Sequence, residues 1–224
     1  MVRYLIIGNS VGAVGAVEAI REIDRQGSLA VVSDEPYPVY SRPRISEYLA
    51  GKSTMADMLY RPEGFYQTHN VQTYLGRKAV KVELGSKEVR LEDGEALAFE
   101  DLLLATGGVP FVPKMDGQGK EGIFTFTTLG DAEGIARRLP QTRRAVVIGG
   151  GLIGMSVTDA LVKKGVEVTV VELKDWVLNT ILDQDAALVT QDALADAGVR
   201  VMAGQSVQKI LGRAGNETTV GGVV

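Results

Sequence analysis

Cysteine is absent from this chain of 224 residues, and histidine occurs only once, as His69. The missing cysteines exclude a redox disulfide, a thiolate nucleophile and cysteine-ligated zinc or iron–sulfur clusters within these residues. His69 lies in the polar stretch "QTHN", which indicates a loop residue and not a catalytic base. No cluster of His, Asp and Glu has the spacing of metal ligands, so we predict no metal site.

Strong charge and long apolar runs are also missing. A net charge of −4 gives no reason to expect nucleic acid, which is bound by basic surfaces. The opening "MVRYLIIGNS" has too few consecutive apolar residues for a signal peptide or a membrane span. A hydrophobic content of 45% is ordinary for a globular protein, and we expect a cytoplasmic protein of one large or two modest domains.

What the chain does contain is two copies of a strand–turn–helix pattern, "YLIIGNSVGAVGA" near the start and "AVVIGGGLIGM" from Ala145. The later copy has a complete G-x-G-x-x-G, whereas the earlier copy keeps only the first of these glycines. Gly8 and Gly149, which open the two turns, lie 141 positions apart. The spacing indicates duplication of a whole domain.

The later turn has the features of a dinucleotide site. Gly149 permits a tight turn, Gly151 lets the backbone approach a pyrophosphate, and Gly154 allows close packing of helix on sheet. The following helix offers free N–H groups to phosphate. Glu172 ends the next strand and would accept ribose hydroxyls while repelling a 2′-phosphate, which favours NADH over NADPH, although Lys174 nearby weakens this preference. A purely structural glycine turn is the alternative.

The earlier turn is altered. It has Ser10 and Ala13 at the second and third glycine positions. Alanine is an accepted third residue, and the serine hydroxyl could donate a hydrogen bond to phosphate. Because Ser33 occupies the place that corresponds to Glu172, the ribose carboxylate would be Asp34 or Glu35. From these residues alone, a nucleotide site and a packing turn both stay open.

The remaining pattern predicts further strands. From Val71, four short alternating segments with hairpin-like turns predict an antiparallel meander. "DLLLATGG" then predicts a parallel strand buried on both faces. The counterpart of this strand in the second copy would fall near position 242, after Val224. We therefore expect an incomplete second domain, as in a fragment of a longer protein.

Five motifs stand in a characteristic order: "IIGNS…GAVEAIRE", "SDEPYPVYSRPRISEYLAGK", "DLLLATGGVP", "AVVIGGGLIGM" and "VEVTVVE". Together they resemble the FAD-dependent pyridine nucleotide oxidoreductases with two dinucleotide-binding domains. The resemblance is closer to the branch of rubredoxin and ferredoxin reductases and the flavin part of nitrite reductases. It implies an α/β fold of two Rossmann-like three-layer domains with antiparallel meanders, an FAD domain at residues 1–112 and an incomplete NAD domain at 113–224.

The resemblance also implies roles for individual residues. FAD would be bound through its pyrophosphate by Gly8, Ser10, Gly12 and Ala13, through its ribose by Glu35 or Asp34, and elsewhere by Arg42, Pro43, Val80, Ala105, Thr106 and Gly107. NADH would be bound by Gly149, Gly151, Leu152, Ile153, Gly154 and Glu172.

Two departures from the family pattern reduce the range of reactions that we expect. Without cysteine, disulfide reduction is excluded, and the places of a lysine–glutamate pair found in some relatives are occupied by Glu47 and Ser156. The expected function is an NADH oxidoreductase that passes hydride to FAD and electrons to a small redox protein or an iron–sulfur or haem centre. The alternatives are a non-catalytic nucleotide-binding fragment and a subunit that needs a partner chain to complete its sites.

Overall fold

The computed structural model describes residues 1–224. The helices are α1 Val11–Ile23, α2 Ile45–Leu49, α3 Met55–Met58, α4 Phe65–Thr68, α5 Leu129–Arg138, α6 Leu152–Lys163 and α7 Gln184–Asp196. The strands are β1 Val2–Ile7, β2 Leu29–Ser33, β3 Val71–Leu75, β4 Ala79–Glu83, β5 Glu88–Leu91, β6 Ala96–Leu104, β7 Arg144–Ile148, β8 Glu167–Val171, β9 Arg200–Met202, β10 Ile210–Arg213 and β11 Asn216–Val223. None of the helices combines the length and apolar character needed to cross a membrane.

The chain divides into two compact units. The first contains Met1–Ser41 and Met55–Val109, and the second contains Arg42–Thr54 and Pro110–Val224. Residues 42–54, which the expected boundary after residue 112 assigns to the first domain, belong to the second unit because α2 packs against α5 and α6.

The first unit is built on a six-stranded sheet in the order β3-β2-β1-β6-β5-β4. The four strands from β3 to β6 in that order run parallel, as the pairs of β1 with β2 and β6 and of β2 with β3 show. Every residue of Leu29–Ser33 is buried, as expected for a central strand covered on both faces. This arrangement confirms the expected α/β fold class.

Two expectations for this sheet were wrong. Val71–Leu75 pairs in parallel with β2 and is no part of the meander, because period-two alternation shows that a segment is a strand but not which strand it pairs with. The strand after the meander is not buried throughout, since Leu103 and Leu104 are 41% and 62% exposed. The carboxyl end of β6 is therefore exposed.

The meander itself consists of β4, β5 and the first part of β6. Glu88 lies opposite Ala98 in an antiparallel pair, and one residue later Phe99 lies opposite Val2 in a parallel pair. The last strand of the meander and the parallel strand after it, which the sequence predicted as two segments, are thus one continuous nine-residue strand.

The second unit repeats the strand–helix–strand plan. Its parallel sheet has the order β7-β8-β9, and β10 and β11 form an antiparallel hairpin. Each unit has the same hydrogen bond where its glycine turn begins. The Gly8 N–H donates to Val32 O in the first unit, and the Gly149 N–H donates to Val171 O in the second, both at 2.8 Å. Whereas β1 has a neighbour on each side, β7 pairs only with β8.

Candidate functional site

The first glycine turn lies at the carboxyl ends of β1 and β6. Gly8 has φ +117°, and a Cβ there would lie 2.0 Å from the carbonyl oxygen of Ala105. The two residues are brought together because the Ala105 N–H donates to Ile7 O at 2.8 Å. Both the backbone angle and the space therefore require glycine at this position.

The helix after this turn begins without a side-chain cap. Ser10 is the N-cap of α1, its hydroxyl accepts no hydrogen bond from the first turn, and that turn has no acidic residue. The free N–H groups and the positive end of the helix dipole are suited to a phosphate. A Cβ at Gly12 would lie 3.8 Å from the Ala105 Cβ, which is an ordinary contact, so internal packing does not explain this glycine.

Of the two candidate ribose acids, Glu35 is the one held in place. Asp34 is exposed, whereas the Glu35 carboxylate accepts a hydrogen bond of 2.5 Å from the Tyr40 hydroxyl. The Glu35 carbonyl also accepts from the Gly76 N–H at 3.0 Å. Gly76 follows β3, so this bond connects the ends of two parallel strands, and sequence reasoning missed it.

The other predicted FAD residues are more dispersed. Thr106 and Gly107 follow Ala105 and are exposed beside the turn, while Val80 lies on the meander strand β4, where it is exposed. The predicted pair Arg42 and Pro43 belongs to the second unit, where the Arg42 guanidinium donates to Thr127 O at 2.9 Å. This pair and the first glycine turn therefore belong to different units.

The second glycine turn is open above its helix. Gly149 has φ +104°, and a Cβ at either Gly149 or Gly151 would meet nothing within 4 Å. Gly151 is the N-cap of α6 and has no side chain to satisfy the first N–H groups, and Leu152 and Ile153 after it are exposed. A Cβ at Gly154 would lie 2.0 Å from Gly149 O and 3.4 Å from Val147 Cγ1 of β7, so the space that excludes a side chain here is set mainly by the turn.

Glu172 is bonded directly to this turn. The side chain is 7% exposed, and its two carboxylate oxygens accept the Gly150 N–H at 2.6 Å and the Lys174 N–H at 2.8 Å. Each oxygen of an ionised carboxylate can accept a second hydrogen bond. Glu172 therefore shapes the turn and retains acceptor capacity for hydroxyl groups.

Gly150, between the motif glycines, was missed by the sequence reasoning. Its Cβ would lie 2.9 Å from Val177 Cγ1 and 3.2 Å from Glu172 Oε2. Its carbonyl accepts the Leu178 N–H at 2.8 Å. The run of three glycines was the available signal, because a glycine at an unassigned motif position often marks a close approach.

Both turns fit a dinucleotide. Each combines a left-handed glycine after a parallel strand with an uncapped helix N-terminus, and the second leaves open space where a pyrophosphate would lie. No group of three or more His, Cys, Asp or Glu side chains is placed to bind a metal ion.

Comparisons with known proteins agree with this geometry. The pyridine nucleotide-disulphide oxidoreductase family matches residues 2–223. The chain is 32% identical over 209 residues to the epsilon subunit of NADH-dependent phenylglyoxylate dehydrogenase of Aromatoleum evansii, covering 93% of this chain and 49% of that protein. It is 30% identical to rubredoxin-NAD(+) reductase of Pseudomonas putida, covering 95% and 55%.

Solved structures show the same fold. A ferredoxin reductase from Rhodopseudomonas palustris superposes with a TM-score of 0.88 at 26% identity, covering 99% of this chain and 54% of that one. The chain thus spans about half the length of these relatives. The match over nearly every residue confirms the resemblance inferred from the motifs, and the chain belongs to the pyridine nucleotide-disulphide oxidoreductase family.

Proposed function

We propose that this chain is the cofactor-binding part of an NADH-dependent flavin oxidoreductase, with FAD bound to the first unit and NADH to the second. The observation that carries the proposal is the pair of glycine turns, each of which presents an uncapped helix N-terminus at the carboxyl end of a parallel strand. Family membership supports FAD and NADH as the cofactors.

In the first unit, residues from Gly8 to Ala13 would hold the FAD pyrophosphate through backbone N–H groups. The Ser10 hydroxyl makes no cap bond, so it is available to the same phosphates. Glu35 would accept the ribose hydroxyls, because Tyr40 and the Gly76 backbone hold it at the strand edge while Asp34 is exposed.

In the second unit, Gly151, Leu152 and Ile153 would present backbone to the NADH pyrophosphate. Glu172 would accept the adenosine ribose hydroxyls with its remaining lone pairs and would repel a 2′-phosphate, since both charges are negative. This supports NADH over NADPH.

The reacting group is the flavin, which when bound accepts hydride and releases electrons. The side chains of this chain bind and orient the cofactors, and none is assigned as an acid, base or nucleophile. For the acceptor we propose a small redox protein, because relatives that match nearly the whole chain are named rubredoxin and ferredoxin reductases.

The test is an absorption spectrum of the purified protein, followed by anaerobic addition of NADH and, separately, NADPH. We expect flavin absorption that is bleached by NADH and more slowly by NADPH. Flavin absorption that NADH leaves unchanged would support FAD in the first unit and contradict hydride transfer. A protein that stays colourless after incubation with FAD would contradict the proposal and favour a non-catalytic nucleotide-binding role.

A further inference from the structure

A tyrosine hydroxyl joins two segments of the first unit that lie beside the proposed FAD site. Tyr66, in α4, donates to Asn9 Oδ1 at 2.7 Å and accepts the Val39 N–H at 3.0 Å. The Asn9 amide in turn donates to Tyr37 O at 3.1 Å. One hydroxyl and one amide thereby connect the glycine turn with the loop that follows β2.

The bonded residues lie next to the residues proposed to bind FAD. Asn9 lies between Gly8 and Ser10, and the loop of residues 34–40 contains Glu35. Within this loop, Tyr40 donates to the Glu35 carboxylate. Tyr66 therefore attaches the end of the loop, at Val39, to the glycine turn. Tyr40, the last residue of the loop, bonds the Glu35 carboxylate near its start.

Tyr66 is suited to this role at neutral pH. Burial raises the pKa of its hydroxyl above the ordinary value of 10.0, although its contacts with Val39 and Asn9 act in the opposite direction. The hydroxyl consequently stays protonated and continues to donate to Asn9. A phenylalanine in its place would keep the ring, which packs edge-on against Phe65, and would remove only the two hydrogen bonds.

We infer that Tyr66 is a positioning residue for FAD, which fixes the loop of residues 34–40 against the first glycine turn so that the pyrophosphate and ribose contacts are preorganised relative to each other. The inference rests on the proposed function, because it takes FAD as the ligand of the turn. Without the hydroxyl, only the bond from the Asn9 amide to Tyr37 O would attach the loop to the turn. FAD binding would then have to order the part of the loop around Val39, and the lost chain entropy would weaken the affinity.

The test compares Tyr66→Phe with Tyr4→Phe. The Tyr4 hydroxyl donates to Asp24 in the same unit at 3.2 Å, so this control removes a tyrosine hydroxyl bond that does not touch the loop. Two quantities are measured in each protein: the FAD dissociation constant from quenching of flavin fluorescence, and amide hydrogen exchange of residues 34–40 without FAD.

For Tyr66→Phe we expect FAD binding weakened by about 3- to 10-fold and faster exchange at residues 34–40, whereas Tyr4→Phe should change neither quantity by more than about twofold. Asn9→Ala combined with Tyr66→Phe should bind FAD no more weakly than Asn9→Ala alone, since both changes break one connection.

The outcomes separate the two proposals. FAD binding and exchange in Tyr66→Phe equal to those of the wild type would overturn the positioning role and leave the proposed function intact. A wild-type protein that does not bind FAD would overturn the proposed function and the positioning role with it, and the exchange data would then report only on the attachment of the loop.

Discussion

The two glycine turns share one strand–turn–helix plan but are crowded at different glycines. In the first turn a Cβ at Gly8 would collide with Ala105 O, while the third position already carries the buried Cβ of Ala13. In the second turn a Cβ at Gly149 would meet nothing, whereas one at Gly154 would collide with Gly149 O. Equivalent motif positions thus meet different steric demands.

The difference follows from the neighbours of each turn. Gly8 is crowded because β6 lies beside β1, and Ala105, which directly follows β6, donates its N–H to Ile7 O. β7 has no neighbour on that side. The acids differ as well. Glu172 is bonded to its own turn, whereas Glu35 lies in the loop that Tyr66 and Asn9 attach to the first turn.

The largest expected effect comes from adding one methyl group to each turn. Gly8→Ala and Gly154→Ala should each lower the free energy of unfolding by about 3 kcal/mol, because a backbone oxygen occupies the space of the new Cβ. Gly149→Ala should cost only about 1–2 kcal/mol, since its positive φ is strained but the space is open.

Urea unfolding measures these differences, with circular dichroism for the whole chain and the fluorescence of Trp176, the single tryptophan, for the second unit. Gly15→Ala is the control, because it lies in the middle of α1 with nothing within 4 Å and should be neutral or slightly stabilising. Equal losses for Gly8→Ala and Gly149→Ala would remove the steric contrast between the turns.

The second prediction concerns the acids. Glu172→Ala should lower the free energy of unfolding by about 2–3 kcal/mol, because the Gly150 and Lys174 N–H groups lose a charged acceptor. Asp34→Ala, which changes an exposed carboxylate, should cost less than about 0.5 kcal/mol. Thermal unfolding measures both, and a Glu172→Ala protein as stable as the wild type would show that this carboxylate does not shape the turn.

The third prediction uses acid titration to compare a capped helix with the uncapped ones. Thr128 and Asp131 form a capping box at α5. Burial would raise the pKa of Asp131, but hydrogen bonds from Thr127, Thr128 and Thr125 outweigh it and leave the pKa below the ordinary value of 3.8. The ionised carboxylate therefore stabilises the folded state above that value, and the contribution is lost as the pH falls through the native pKa.

Asp131→Asn should consequently cost about 1 kcal/mol at neutral pH, and the deficit should shrink as the pH falls below about 4. Urea midpoints measured across this range test the sign. A deficit that is constant with pH would mean that the carboxylate charge contributes nothing to the cap.

The smallest effect on stability is expected at the open helix end. Ser10→Ala should change the free energy of unfolding by less than about 0.5 kcal/mol, because the hydroxyl makes no cap bond, while FAD binding weakens by about 3- to 10-fold. Thr128 caps α5 with its side chain, so Thr128→Ala should show the reverse pattern of lost stability and unchanged FAD binding. Unchanged FAD binding by Ser10→Ala would remove its hydroxyl from the phosphate site.

Much of each turn could be predicted from local sequence. The order of apolar strand, glycine turn and helix is a property of about 15 consecutive residues, and the family resemblance followed from five short motifs in order, two of which contain such a turn. The pairing of Val71–Leu75 with β2 could not be predicted in this way, nor could the exposure of Leu103 and Leu104, because both depend on which elements lie alongside a strand.

The contacts that organise the sites also lay outside the local pattern. Asn9 and Tyr66 are 57 positions apart, and Gly76 reaches Glu35 only because β3 lies beside β2. No periodicity or motif spacing records a hydrogen bond across such a separation.

The sequence by itself therefore determined the family, the two turns and the position of their glycines, since these depend on backbone conformation and on neighbours along the chain. Only the tertiary structure decided which glycine in each turn is sterically required, which acid is held in place, and how the first turn is attached to its loop. Those properties arise where distant segments pack at distances of a few ångströms, and the packing of strands, not the order of residues, sets those distances.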